Sequence, residues 1–397
     1  MFVIASWGSY LFLRDIISVL ISFGSTVNVM FGVFFIIDWF KVPYSSLAET
    51  AILISLGFSV FLNTIMLCSI HTYKKTSETD AKLAIKKALT INFQPIILSF
   101  MGLALFTLAA FYQKESIIFS DFTQLLIAGS AVAATSALMF LPLMSNYWLG
   151  HINEERMQDD LNPSFLEKFL LHINLNIEKA AALLVWIISP IIDHKLISWM
   201  ITAFTALGIT CLVVVKFENI LSIADTKGSF VIILSIVYFL FVVICYQSYA
   251  LAFVPVFSML LNYFLLDFIC HLLLVPETLM RVCLYSSFSI TLIGSYLQTD
   301  IVLHYLKNNY NFQDALLNAL AKTLYLVFVS AVSAVIFIVV AMDLGNVWDV
   351  NLFLAGSVII CSGIILVFPV PFYLRVFFTL HEFVVKPRKK KIKSIYL

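Results

Sequence analysis

Long apolar runs alternate with short polar breaks along almost the whole chain. Runs of roughly twenty apolar residues occupy 16–37, 51–70, 92–112, 122–143, 196–215, 229–246, 249–274, 283–303, 322–341 and 352–374. Each is close to what a helix needs to cross a bilayer core of about 30 Å. The run 2–13 is shorter and stops at Arg14 and Asp15. No charged segment or small-residue cleavage site marks it as a signal peptide, so it reads as the tail of a further span. The pattern predicts an all-α, polytopic membrane protein with about 11 transmembrane helices.

The runs repeat. Ala128, Gly129 and Ser130 recur as Ala355, Gly356 and Ser357, and each glycine is followed 13 residues later by a proline, Pro142 and Pro369. His71 to Lys74 has a counterpart in His304 to Lys307, with Tyr73 matching Tyr305. Five spans over roughly 2–143 are thus repeated over roughly 229–374, with one linking span, 196–215, between them. The expected division is 1–145 as first membrane repeat, 146–195 as inner loop, 196–228 as linking span and short outer loop, 229–376 as second repeat and 377–397 as basic tail.

Charge fixes the expected orientation. With Arg14 placed inside and the spans alternating, nineteen Lys and Arg residues fall inside and five (Lys41, Lys114, Lys216, Lys227 and Arg281) outside, as cytoplasmic loops demand. The C-terminus is then cytoplasmic, in a plasma membrane or bacterial inner membrane. Both repeats have the same orientation, related by an axis along the membrane normal. In the inner loop, Ser164 and Glu167 fit a capping box, and 165–179 reads as an amphipathic helix on the inner face. The cluster Lys386 to Lys393 is either a topology anchor or a patch for anionic lipid.

Composition removes the other classes. Apolar residues make up 61% of the 397 and charged residues 12%, about half the charge of a soluble domain. A net charge of +1 offers nothing to nucleic acid. The six cysteines (Cys68, Cys211, Cys245, Cys270, Cys283 and Cys361) lie in or beside apolar runs without a C-x-x-C pair. They read as small core residues rather than disulfides or metal ligands. No H-E-x-x-H, G-x-S-x-G or Walker pattern occurs, so no enzyme, cofactor or metal is expected.

The order of spans, five, one, five, resembles the one, five, one, five plan of the resistance–nodulation–division superfamily, including its mycobacterial-membrane-protein-large exporters and Patched-like proteins. Tyr10 to Asp15 looks like the turn between its second and third spans. Leu56 to Phe58 followed by His71 to Lys75 looks like its fourth span, Ala84 to Pro95 the start of its fifth, and Ala128 to Pro142 its sixth. The five-span block is also the sterol-sensing plan. Two departures matter. The connection 216–228 stands where the family has a large porter domain. The family's relay acids in the fourth and tenth spans fall here near Asn63 and Thr64, and near Ser295 and Tyr296, none of which is a carboxylic acid.

Ionisable residues inside a span are costly and mark functional candidates. Asp267 with His271, and Asp300 with His304, are each four apart and share a helix face. Each pair is read as a substitute proton or ion site or as a structural pair. Asn63, Asn262 and Gln298 are read as interhelical hydrogen-bonding residues. The resemblance implies a permease core that binds or moves a hydrophobic or lipid-like substrate. The alternatives are a non-transporting membrane scaffold or lipid sensor, and a degenerate or truncated transporter. Membrane lipids, a second membrane or porter-bearing subunit, and a second copy of the chain are the partners this layout admits.

Overall fold

The computed structural model of the chain describes residues 16–42, 46–77, 81–113, 117–151, 179, 183–191, 194, 196–208, 226–272, 277–308, 310–342 and 348–380. Among these, all regular structure is helical. The first set is α1 (Ile16–Phe40), α2 (Ser46–Ser77), α3 (Ala81–Gln113), α4 (Ile117–Thr135), a π-turn (Ser136–Phe140) and α5 (Leu141–His151). Next come α6 (Leu183–Ile191) and α7 (Leu196–Gly208). The second set is α8 (Thr226–Tyr246), α9 (Tyr249–Leu272), α10 (Glu277–Lys307), α11 (Phe312–Met342) and α12 (Trp348–Val367), with α13 over 369–380.

Local chemistry ends these helices. Lys41 has φ 52°, and Val42 N–H returns to the Ile37 carbonyl at 3.1 Å. This left-handed residue plus the six-to-one bond is the Schellman stop. Gln247, φ 51°, ends α8, and Ser248 Oγ accepts from Leu251 N–H at 3.2 Å, capping α9. The repeated prolines break the last span of each set. Pro142 has no N–H for the Leu138 carbonyl four residues back, and the π-turn precedes it. Pro369 follows a break at Phe368 between α12 and α13.

The two sets interlock reciprocally. α2 packs on α11, and α3 packs on α10. Because α2 corresponds to α10 and α3 to α11 in order, each contact is the exchange of the other. α2 also meets α10 directly, and α8 lies on α3. Gly102 on α3 permits the approach: a Cβ there would stand 2.5 Å from Leu292 Cδ2 and 2.7 Å from Tyr238 Oη. Peripheral helices present large apolar side chains outward, among them Phe31 and Phe35 on α1, Phe204 on α7, Ile244 on α8 and Phe268 on α9. Such a belt is stable only against lipid.

Seven helices among the described residues are long and apolar enough to cross a membrane, eight if α6 and α7 form one broken span. The expected count of about 11 is therefore only partly represented. The run 2–13 lies outside the described residues, and α8 is described in full only over its C-terminal stretch, Ile236–Tyr246. α10 is 31 residues long, about 46 Å at 1.5 Å per residue, but carries Ser287, Ser289, Thr291, Ser295, Gln298 and Thr299, all buried. A helix shielded by its neighbours needs no apolar exterior, so its composition falls short of a lipid-facing span. The linking span is also altered: α6 and α7 meet at 94°, at the break after Pro190. The amphipathic segment 165–179, apart from residue 179, and the tail beyond 380 lie outside the described residues.

Candidate functional site

Asn63 lies near the middle of the span Ala51–Lys74 and is completely buried. Its amide nitrogen reaches the Ser22 carbonyl at 3.5 Å, Thr26 Oγ1 at 3.4 Å and Ser59 Oγ at 3.3 Å. Ser25 Oγ donates to its oxygen at 3.0 Å and stands 2.9 Å from Ser136 Oγ in the π-turn. With no water in hydrocarbon, such groups must satisfy one another. The network ties α1, α2 and the π-turn together.

The second set carries a matching knot. Asn262 on α9 donates to the Ser287 carbonyl at 3.0 Å and Ser287 Oγ at 2.7 Å, and also bonds Thr291. Ser287 Oγ stands 2.8 Å from Ser362 Oγ on α12. Corresponding spans are thus joined in both sets: α1, α2 and the π-turn in the first, α9, α10 and α12 in the second.

The other relay-equivalent positions turn back on their own helices. Thr64 bonds the Val60 carbonyl at 2.8 Å and Ser295 the Leu292 carbonyl at 2.9 Å. Asn63, Thr64 and Ser295 are uncharged, so none changes charge by releasing a proton as a carboxylic acid does.

Of the four ionisable candidates, only Asp300 and His304 have described side chains. Asp267 and His271 lie four apart on α9, and their side chains are outside the described residues. Asp300 and His304 are not joined. Asp300 faces Tyr246 of α8, whose buried hydroxyl meets no partner in ordinary hydrogen-bond geometry. His304 is exposed and stands 3.3 Å from Asn308 Nδ2. A spacing of four places two residues on one face, but Asp300 is drawn to the seam and His304 to the helix end.

Asp300 belongs to a seam that sequence reading did not identify. Tyr238 Oη on α8 donates to the Leu98 carbonyl of α3 at 3.1 Å and bonds Tyr296 Oη of α10. Tyr246 and Tyr296 stack with ring centroids 6.1 Å apart. Lys322 on α11 donates to Tyr73 Oη on α2 at 3.0 Å and sits 4.4 Å from its ring centroid. Aromatic residues at helical spacing read equally well as lipid-facing, so only tertiary packing reveals this role. At the seam, a crevice between Ile54, Phe58 and Phe61 of α2 and Ser286, Ser289 and Ile290 of α10 holds about 20 Å³, room for one water. Cys270 and Cys283, read as separate core residues, have thiols within hydrogen-bond reach across α9 and α10.

No protein-family model matches the sequence, and no curated protein does. Solved structures do. SecDF from Thermus thermophilus, described as a translocon-associated membrane protein, matches with TM-score 0.59 at 11% identity, over 95% of this chain and 61% of that one. SecDF in a super-membrane-facing form matches with TM-score 0.58 at 11% identity, over 99% and 63%. The chain thus spans about three-fifths of the length of the structures it matches. At this identity the likeness is one of fold. It speaks for neither the exporter nor the Patched-like branch expected from the sequence. The chain is an integral membrane protein with the fold seen in SecDF.

Proposed function

We propose that the chain is a permease core, not an enzyme, that binds a hydrophobic or lipid-like substrate and moves it by rocking one set of helices against the other. The reciprocal packing of α2 on α11 and α3 on α10 carries this reading, because two like units meeting along one seam can exchange between two arrangements. The seam's central helices are polar inside and uncharged at the relay-equivalent positions, which favours movement without a carboxylate proton step there. The C-terminus is assigned to the cytoplasm on the Lys and Arg asymmetry. The fold likeness to SecDF favours a second reading, an accessory membrane subunit for protein translocation.

Native mass spectrometry of the protein, released from its own membranes in mild detergent, separates the two. A retained lipid of defined mass supports the permease reading. A stoichiometric membrane protein partner with no lipid supports the accessory subunit and counts against the permease.

A further inference from the structure

A groove of about 270 Å³ opens between α1 and the π-turn, on the hydrocarbon-facing side of the first set. Asn28, Thr135 and Ser136 line it, with Ala131, Val132 and Met139. Asn28 and Ser136 fall within two residues of the middle of the spans Ile17–Phe40 and Phe122–Tyr147. The groove is therefore at the bilayer midplane, where Asn28 and Thr135 are exposed. Thr135 returns its hydroxyl to the Ala131 carbonyl at 2.8 Å. Asn28 makes one long bond, from Nδ2 to Ser136 Oγ at 3.4 Å.

Proton counting fixes the direction of the whole chain of bonds. The Ser22 carbonyl can only accept, so the Asn63 nitrogen faces it and the Asn63 oxygen faces Ser25. Ser25 has a single hydroxyl proton, given to Asn63. Ser136 must then donate toward Ser25, either to its Oγ at 2.9 Å or its carbonyl at 3.3 Å. Ser136 can only accept from Asn28, whose nitrogen faces it. The Asn28 amide oxygen is left as an acceptor without a partner among the described residues. An exposed acceptor in the hydrocarbon midplane is costly unless a donor meets it. The π-turn beside it is the kind of helix defect that recurs at functional sites.

From this geometry we infer that the groove is a lateral recognition site for an uncharged lipid bearing a hydroxyl donor, a long-chain alcohol in chemical class. None of the described residues lining the groove is charged, so a phosphate or ammonium head gains no counter-ion there, and bringing a charge to the midplane is costly. An uncharged hydroxyl reaches that depth more readily and supplies the donor Asn28 lacks. Met139, in the groove wall, and Phe31, one turn from Asn28, are both well exposed. Their bulk holds a helix backbone away, since close helix contact wants small residues, while a slender chain passes between them. The inference rests on the lipid-like substrate proposed above and names the class and its point of entry. The bond chain then links an occupied groove to Asn63 in the interior.

The test is photolabelling of the full chain in nanodiscs by a long-chain alcohol carrying a diazirine, with labelled peptides read by mass spectrometry. Label is expected on 24–32 and 131–140, competed by the unlabelled alcohol but not by the matched alkane or alkyl phosphate. Asn28→Leu should lower it about five-fold, the loss of one hydrogen bond. Met139→Trp, which fills the groove from an exposed position and leaves Asn28 in place, should do the same, and stands as the test if Asn28→Leu does not fold. Labelling that is indifferent to both variants, or competed equally by the alkane or phosphate, overturns the inference. Label gathered at Phe58 and Ser289 overturns the groove but keeps the lipid-binding reading. Failure of every lipid probe to label removes both. A membrane protein found crosslinked through Asn28 in native membranes gives the groove to a partner helix and also overturns the inference.

Discussion

Tyr238 of α8 gives its one hydroxyl proton to the backbone carbonyl of Leu98 on α3, 3.1 Å away. Its bond to Tyr296 must therefore run the other way, with Tyr296 as donor. One phenol thus fastens the second set of helices to the backbone of the first and orders a second phenol behind it. Tyr238→Phe breaks both bonds and is expected to cost about 1 kcal/mol, a typical interhelical bond in a membrane protein. Thermal unfolding in detergent, with Tyr296→Phe and the double variant, checks it. The two single losses should not add, because they remove the same bond.

Gly102→Val tests the seam by bulk instead of polarity. The added atoms would press on Leu292 and the Tyr238 hydroxyl. Overpacking of this kind costs about 1–3 kcal/mol, so the variant should lower the thermal midpoint more than Gly24→Val, since a Cβ at Gly24 meets nothing within 4 Å.

The two asparagine knots should behave alike despite their different sequences. Asn63→Leu and Asn262→Leu each leave several hydroxyls without their amide partner. Each is expected to destabilise by about 1–2 kcal/mol, measured by the same unfolding assay. A much larger loss at one site alone would mean the sets are not equivalent in folding.

Gln298 predicts the opposite sign. It is completely buried and, against the interhelical bond expected of it, neither end of its amide has a hydrogen-bond partner among the described residues. An unsatisfied buried amide costs about 1–3 kcal/mol, so Gln298→Leu should hold or raise the thermal midpoint. If substrate movement nevertheless falls in this variant, the amide serves the substrate and not the fold.

Much of this was legible in the sequence. The apolar runs located α1 to α4 and α9 to α12, because hydrocarbon imposes its length on any crossing helix, but not the polar first turns of α3 and α11, which begin at Ala81 and Phe312. The Gly-to-Pro spacing anticipated that both final spans would share a feature, and Pro142 and Pro369 each sit at a break. Asn63 and Asn262 were recognisable as interhelical residues, since a lone amide in an apolar run needs a partner. What could not be read was direction around a helix. Asp300 and His304 have the spacing of a pair, yet one faces Tyr246 and the other the exterior. Tyr238 and Tyr246 look like ordinary span aromatics until α3, α8 and α10 meet. The groove at Asn28 depends on the π-turn, whose extra residue per turn no apolar period reveals.

The most direct test of the permease reading is the rate at which a fluorescent lipid alcohol crosses the bilayer of vesicles containing the purified chain. Crossing several-fold faster than in protein-free vesicles is expected, falling back when a cysteine pair at Phe58 and Ser289 is crosslinked across the seam in a background without the native cysteines, and recovering on reduction. Crossing at the protein-free rate, with or without the crosslink, would contradict it.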